Sequence, residues 1–180
     1  MIMDRRTLLT RGTALLGAVC LRSREAISAL PLMIEMKGSP RGEAVWFVPA
    51  GLAVAPGATI RFVNRDPVNS HTATTYHPAI LDRPQRIPDG AQPWDSGLLL
   101  PGEEYEVTLT MPGVHDLYCQ PHEHAGMVAR IVVGRPGQDG SWQGPATDAG
   151  DLPRAALAAF PPVDAILAQG AVMPSQGKTP

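Results

Sequence analysis

Between residues 32 and 133 apolar side chains recur at every second position, which is the period of strands rather than of helices. The pattern predicts strands over 32–36, 44–48, 59–64, 105–110, 114–118 and 127–133. Pro49 ends the second of them. The dipeptides Pro56-Gly57, Pro101-Gly102 and Pro112-Gly113 supply turns just ahead of three others. Residues 78–97 carry no periodicity and include Asp82, Pro84, Pro88 and Gly90, so a long loop is expected there. Short strands punctuated by such turns describe an all-β sandwich or barrel. No internal repeat is visible. After Gly134 the pattern changes. Residues 135–150 are rich in Gly, Pro and Asp and read as a linker. Residues 152–160 and 163–168 are helical in pattern, separated by Pro161-Pro162, and predict one or two short helices lying on the barrel before a frayed end.

Charge divides the chain differently. Its 180 residues hold 15 Lys+Arg and 17 Asp+Glu. Residues 1–29 hold five arginines against Asp4 and Glu25, a formal +3, which leaves 10 basic and 15 acidic residues, or −5, in the rest. A near-neutral total excludes a nucleic-acid binder driven by charge. The basic start fits an export signal of the twin-arginine type: Arg5-Arg6, Leu8-Leu9, then a short apolar stretch over 14–21. That stretch is too short to span a bilayer. Ile27-Ser28-Ala29 offers a small-residue cleavage site, giving a mature chain from about residue 30 with no stable membrane insertion. Gly17 and Val19 do not fit a lipid-anchor motif around Cys20. The sequence thus divides into a leader, 1–29, a β domain, 30–134, and a tail, 135–180. Removal of the leader leaves Cys119 as the lone cysteine of an exported, periplasmic protein, and an unpaired thiol there needs a reason.

That reason lies in its neighbours. Cys119, His122 and Met127 fall within nine residues, in Cys-Gln-Pro-His-Glu-His-Ala-Gly-Met, and His71 stands upstream in Asn-Ser-His-Thr. Two imidazoles and a thiolate in a plane, with a weak axial thioether, are the ligand set of a copper electron-transfer site. Copper(I) favours soft sulfur and copper(II) favours nitrogen, so a rigid site between the two preferences changes little on redox. The ligands then belong at strand ends, with Cys119 closing one strand, Met127 opening the next and the loop between them capping the barrel. His124 is the rival to His122, and His77 could face the same end. His115 reads as a structural strand residue and Glu123 as a solvated loop residue. A thiol nucleophile with His71 as its base would lack a third group and leave Met127 without a purpose. Zinc accepts Cys and His, but a thioether suits it poorly.

The spacing Cys119-x-x-His122-x-x-x-x-Met127, the text Tyr118-Cys-x-Pro-His-x-x-Ala-Gly-Met127 and the 48-residue step from His71 to Cys119 resemble the cupredoxins, and among them plastocyanin and pseudoazurin. The segments Phe47-Val-Pro49 and Pro56-Gly-Ala-Thr-Ile-Arg-Phe-Val-Asn64-Arg-Asp66 extend the resemblance, which runs over about 32–134 and not into the tail. It implies a cupredoxin-like Greek-key sandwich with a C-terminal extension containing short helices. It implies one type 1 copper ion on His71, Cys119, His122 and Met127, and a monomeric, non-enzymatic carrier that passes single electrons between a donor and an acceptor protein. Copper storage or delivery without electron cycling shares the same ligands and is the alternative. Thr72 departs from the family, which places Asn directly after its first His to tie the loops. Tyr118 matches a plastocyanin tyrosine on a longer electron path, or is an ordinary strand residue. Pro121 has no N–H to offer the Cys119 sulfur, which bears on the reduction potential.

Overall fold

The structure, a computed structural model, describes residues 32–137 and 141–175. The leader, its twin arginines and the cleavage site lie outside the described residues.

Among the described residues nine strands form two sheets. In chain order they are β1 Leu32–Gly38, β2 Val45–Val48, β3 Gly51–Val54, β4 Ala58–Asn64, β5 Thr74–Thr75, β6 Glu104–Leu109, β7 Gly113–Tyr118, β8 Val128–Val133 and β9 Ala171–Val172. One sheet runs β2-β1-β4-β6 and the other β5-β7-β8-β3-β9. The chain changes sheet between β2 and β3, and the pairs β1–β4 and β3–β8 are parallel. The result is a two-sheet β sandwich, as the sequence pattern implies, with a long segment, residues 76–103, joining β5 to β6.

Period two does what it promised in the first sheet. Ile34, Met36, Ile60, Phe62 and Leu109 point inward and are buried, while Glu104, Glu106 and Thr108 face water. The inward residues meet Leu117, Cys119, Ala129, Ile131 and Val133 of the second sheet in one apolar core. In the second sheet β7 and β8 are buried along their whole length. Their outward residues pair across the strands, Val114 with Val132, Asp116 with Arg130 and Tyr118 with Val128. The chain after β8 covers this outer face.

The covering layer contains α1 Arg154–Ala159 and α2 Val163–Gln169, each begun by a proline that cannot continue a preceding helix. Leu152 and Ala156 pack with Tyr76, Tyr118 and Val128. Ile166, fully buried, packs with Val114 and Val132. Burying one such side chain contributes about 1.5–3 kcal/mol. A buried charge cluster joins the sheet to this layer. Asp116 binds Arg130 through Nε at 2.7 Å and Nη2 at 3.0 Å, and Arg86 through Nη2 at 2.9 Å. The donors left over reach the tail: Arg86 Nη1 donates to the Asp148 carbonyl at 2.8 Å, and Arg130 Nη1 to the Pro161 carbonyl at 3.1 Å. Both guanidinium groups lie over the Phe160 ring, at 5.2 and 4.9 Å. Two cations on one carboxylate leave surplus positive charge, which these carbonyls and the ring absorb.

The described residues of the tail are held to the sandwich by the backbone as well, and the chain end expected to fray lies outside the described residues. Val114 N donates to Gln143 O at 2.9 Å, and β9 pairs antiparallel with β3. Among the described residues no helix is long and apolar enough to cross a membrane.

Candidate metal centre

The site forms at one end of the sandwich, where the loop from β4 to β5 meets the loop from β7 to β8. The first loop turns on Asn64 and Asp66. Asn64 Oδ1 accepts from Asp66 N at 2.9 Å, and Asn64 Nδ2 donates to Asn69 O and Leu99 O at 2.9 and 2.8 Å. His71 exchanges backbone hydrogen bonds with Leu99, which fixes its backbone as in a strand. The second loop leaves β7 at Cys119 and makes a short 3-10 helix, Gln120–Ala125, with Pro121 in its first turn, where an N–H would go unused. Gly126 ends it at φ 78°, a left-handed conformation that glycine adopts without strain. Met127 then returns beside Cys119: Cys119 N donates to Met127 O at 3.0 Å, and Met127 N to His122 O at 3.2 Å.

These two loops bring three donor atoms together. His71 Nδ1 lies 3.2 Å from His122 Nδ1 and 3.6 Å from Cys119 Sγ, and His122 Nδ1 lies 3.4 Å from the same sulfur. Nitrogen and thiolate donors sit about 2.0–2.3 Å from a shared ion, so donors around one ion, at angles of about 100–120°, stand roughly 3.1–3.8 Å apart. The observed separations fit a single small metal ion. His71 and Cys119 are fully buried, and His122 is half-buried. Met127 is fully buried in the apolar cluster that contains Cys119. Among the described residues this is the cluster of His, Cys, Asp and Glu able to hold a metal, and neither His77 nor His124 belongs to it. His77 is half-buried and its Nδ1 accepts from Ala79 N at 3.1 Å, while His124 is exposed.

Electrostatics favour donors free of protons on the nitrogens. Burial holds the His71 imidazole below the ordinary histidine range, with Asp66 partly opposing. His122 is lowered too, by burial and then by the neighbouring His71. Burial pushes the Cys119 thiol up to about 11, against hydrogen bonds that include one from Thr72 N, 3.3 Å from Sγ. An ion that binds here must displace that thiol proton. Burial raises the Asp66 carboxyl, but hydrogen bonds from Asn69, Val68 and His71 outweigh it and hold the group down to about 2.

Thr72 answers the departure noted in the sequence. Its Oγ1 accepts from Gln120 N at 2.8 Å and from Thr74 Oγ1 at 2.9 Å, while its own N–H meets the Cys119 sulfur. The threonine ties the two ligand loops. Glu123 is a correction: it is buried, not solvated, and accepts from Tyr76 Oη at 2.8 Å and from Arg83. Arg83 also binds Asp151 of the tail at 2.9 Å and lies over the stacked rings of Tyr76 and Tyr118. Sequence reasoning missed Asp66, Arg83 and Tyr76. The Asn64-x-Asp66 turn five residues before His71 was a visible signal for the first, while the other two depend on long-range packing. Tyr118 is 2% exposed and lies beneath the tail, its ring stacked on Tyr76 and packed with Leu152 and Ala156.

The family model of copper-binding proteins, plastocyanin/azurin family, matches residues 34–134. A protein of Rhizobium leguminosarum bv. viciae assigned as a pseudoazurin is 32% identical over 123 residues, 68% of this chain and 73% of that protein. The chloroplastic plastocyanin of Chlamydomonas reinhardtii is 39% identical over 94 residues, 50% of this chain and 59% of that one, so the chain spans little more than half of it. The crystal structure of pseudoazurin from Methylobacterium extorquens AM1 aligns at 30% identity with a TM-score of 0.46, over 58% of this chain and 76% of that one.

Proposed function

The chain belongs to the plastocyanin/azurin family of copper-binding proteins, and we propose that it carries single electrons between redox proteins through one type 1 copper ion held by His71, Cys119, His122 and Met127. The observation that carries this reading is the convergence of His71 Nδ1, His122 Nδ1 and Cys119 Sγ within 3.2–3.6 Å of one another at a strand-anchored end of the sandwich. When bound, copper supplies the one-electron Cu(I)/Cu(II) couple. The protein supplies rigidity. The backbone at His71 is strand-paired to Leu99, Cys119 and Met127 are joined by a backbone hydrogen bond, and Thr72 ties one loop to the other. A frame built this way resists the rearrangement that a change of oxidation state would otherwise demand. Met127, buried next to Cys119, is assigned the weak axial position.

Of the four, His122 alone is not fully buried, so its ring edge is the port for the electron. Val68, Leu98 and Leu100, on the loops that hold His71, are more than half exposed and give this end an apolar rim. A partner with a flat apolar face fits such a rim, through an interface small enough to release after each transfer. Residues 30–180 hold 10 basic and 15 acidic groups, a formal −5, which would steer a basic partner and make association salt-dependent. The twin arginines and the small-residue stretch ending at Ala29 support export to the periplasm, where we read the protein as a monomeric carrier that turns over no substrate. The testing experiment is voltammetry of the copper-loaded mature protein. A reversible one-electron wave, with the copper retained over many cycles in the presence of a copper(I) chelator, is expected. Surrender of the copper to the chelator on first reduction would point instead to a delivery protein.

A further inference from the structure

We infer that Asp66 is a positioning residue of the metal centre: its carboxylate sets the His71 tautomer that presents a bare Nδ1 to the ion, and its charge biases the bound copper toward the oxidised state. This rests on the copper reading above. Asp66 Oδ2 lies 3.0 Å from His71 Nε2, and both side chains are 0% exposed. An ionised carboxylate only accepts hydrogen bonds, so the ring proton sits on Nε2 and the lone pair on Nδ1. That lone pair faces His122 Nδ1 and Cys119 Sγ.

The carboxylate is itself immobilised. Oδ1 accepts from Val68 N at 2.8 Å and Asn69 N at 3.1 Å, and Oδ2 accepts from Asn69 Nδ2 at 2.9 Å as well as from His71. The opposite strand leaves room for it: a Cβ at Gly38 would stand 2.0 Å from Oδ2, so β1 must end in a residue without a side chain here. A carboxylate one imidazole away from the ion favours the doubly charged form over the singly charged one. Groups in this place, behind a ligating histidine, typically govern metal affinity by ten- to a hundredfold.

Asp66→Asn separates this role from a merely structural one. The two backbone amides hold Oδ1 of the new side chain, so its NH2 group turns toward His71 Nε2 and favours the opposite tautomer. In the unmodified metal-free protein, nitrogen-15 NMR of the histidine rings is expected to show His71 protonated at Nε2 and bare at Nδ1. The reverse assignment overturns the proposal without any variant. In Asp66→Asn the proton is expected to move to Nδ1. Copper(II) affinity should fall at least tenfold, and the Cu(I):Cu(II) ratio at a fixed poise should rise about tenfold, equivalent to 59 mV for one electron. Affinity and ratio both within threefold of the unmodified protein would overturn the proposal. Absence of a thiolate-to-copper band in the unmodified protein would overturn the copper reading instead, and the metal-free NMR experiment still decides the tautomer.

Discussion

Replacing Ile166 by alanine should destabilise the protein by about 3 kcal/mol, within the range of about 2–5 kcal/mol for truncating a fully buried branched side chain. For a chain of this size that lowers Tm by roughly 6–12 °C. The structure also says what the Ile166 side chain presses against. A Cβ added at Gly51 would lie 2.7 Å from Ile166 Cγ1 and 2.9 Å from Cδ1, closer than real contacts allow, with Pro161 Cγ next at 3.1 Å. Gly51 sits in the strand β3, so Gly51→Ala carries overpacking and little backbone strain, a cost of about 1–3 kcal/mol. The two effects share one space. In the double variant the shortened side chain at 166 makes room for the new methyl group, and only the Pro161 contact remains tight. The double variant should therefore be at least about 1 kcal/mol more stable than the sum of the single losses requires. Urea unfolding of the metal-free protein, followed by tryptophan fluorescence and circular dichroism, measures all four corners of the cycle. Losses that add to within about 0.5 kcal/mol would refute the seating of α2 on β3, and with it the view that the tail is an integral layer.

Met127→Gln should retain copper while lowering the reduction potential, because an axial thioether tunes more than it holds; loss of all copper would rule out the trigonal arrangement. Ala125→Glu places a charge on the exposed loop beside His122 and should slow exchange with redox partners while leaving the copper spectrum nearly unchanged, as stopped-flow mixing would show; unaltered rates would mean that electrons leave elsewhere. Acidification should destabilise the metal-free protein in a defined window. His71, His115 and His122 are all held below the ordinary histidine range, chiefly by burial. Their contribution is present above the unfolded value of about 6.5 and is lost as pH falls through the lower folded values. Tm should thus fall steadily between pH 7.5 and 5.5, and a flat or rising Tm there would contradict the assignment.

Where one face of a strand meets the core and the other meets water, the sequence is legible, as in Thr59 to Asn64, where polar and apolar residues alternate. Strand β3 was missed because Gly51, Leu52 and Val54 are all buried, so its four residues between two prolines show no alternation. The ends of β7 and β8 were placed to within one residue although both strands are buried on each side, because turn glycines and β-branched residues mark them. The candidate ligands were readable because Cys119, His122 and Met127 lie in one short loop and His71 follows a recognisable strand. What the sequence concealed was the layer behind them. Glu123 looked solvated because its partners Tyr76 and Arg83 lie 40 or more positions away in the chain. Residues 135–150 looked like a linker because the side chain that anchors them at Asp148, Arg86, is a charged residue that a pattern of polarity assigns to the surface, as is Arg130, which holds Pro161 between the two helices. Only the fold shows that Asp116 draws both inward beneath Phe160.

The account turns on a copper ion bound by the Cys119 thiolate, and the visible spectrum tests that bond directly. Copper(II) added to the purified metal-free protein should produce an intense sulfur-to-copper charge-transfer band in the red, at one copper per chain. The same titration of Cys119→Ser should leave the solution without that band, since Cys119 is the thiol among the described residues. A colourless complex with the unmodified protein, or an intense band that survives in Cys119→Ser, would contradict the central claim.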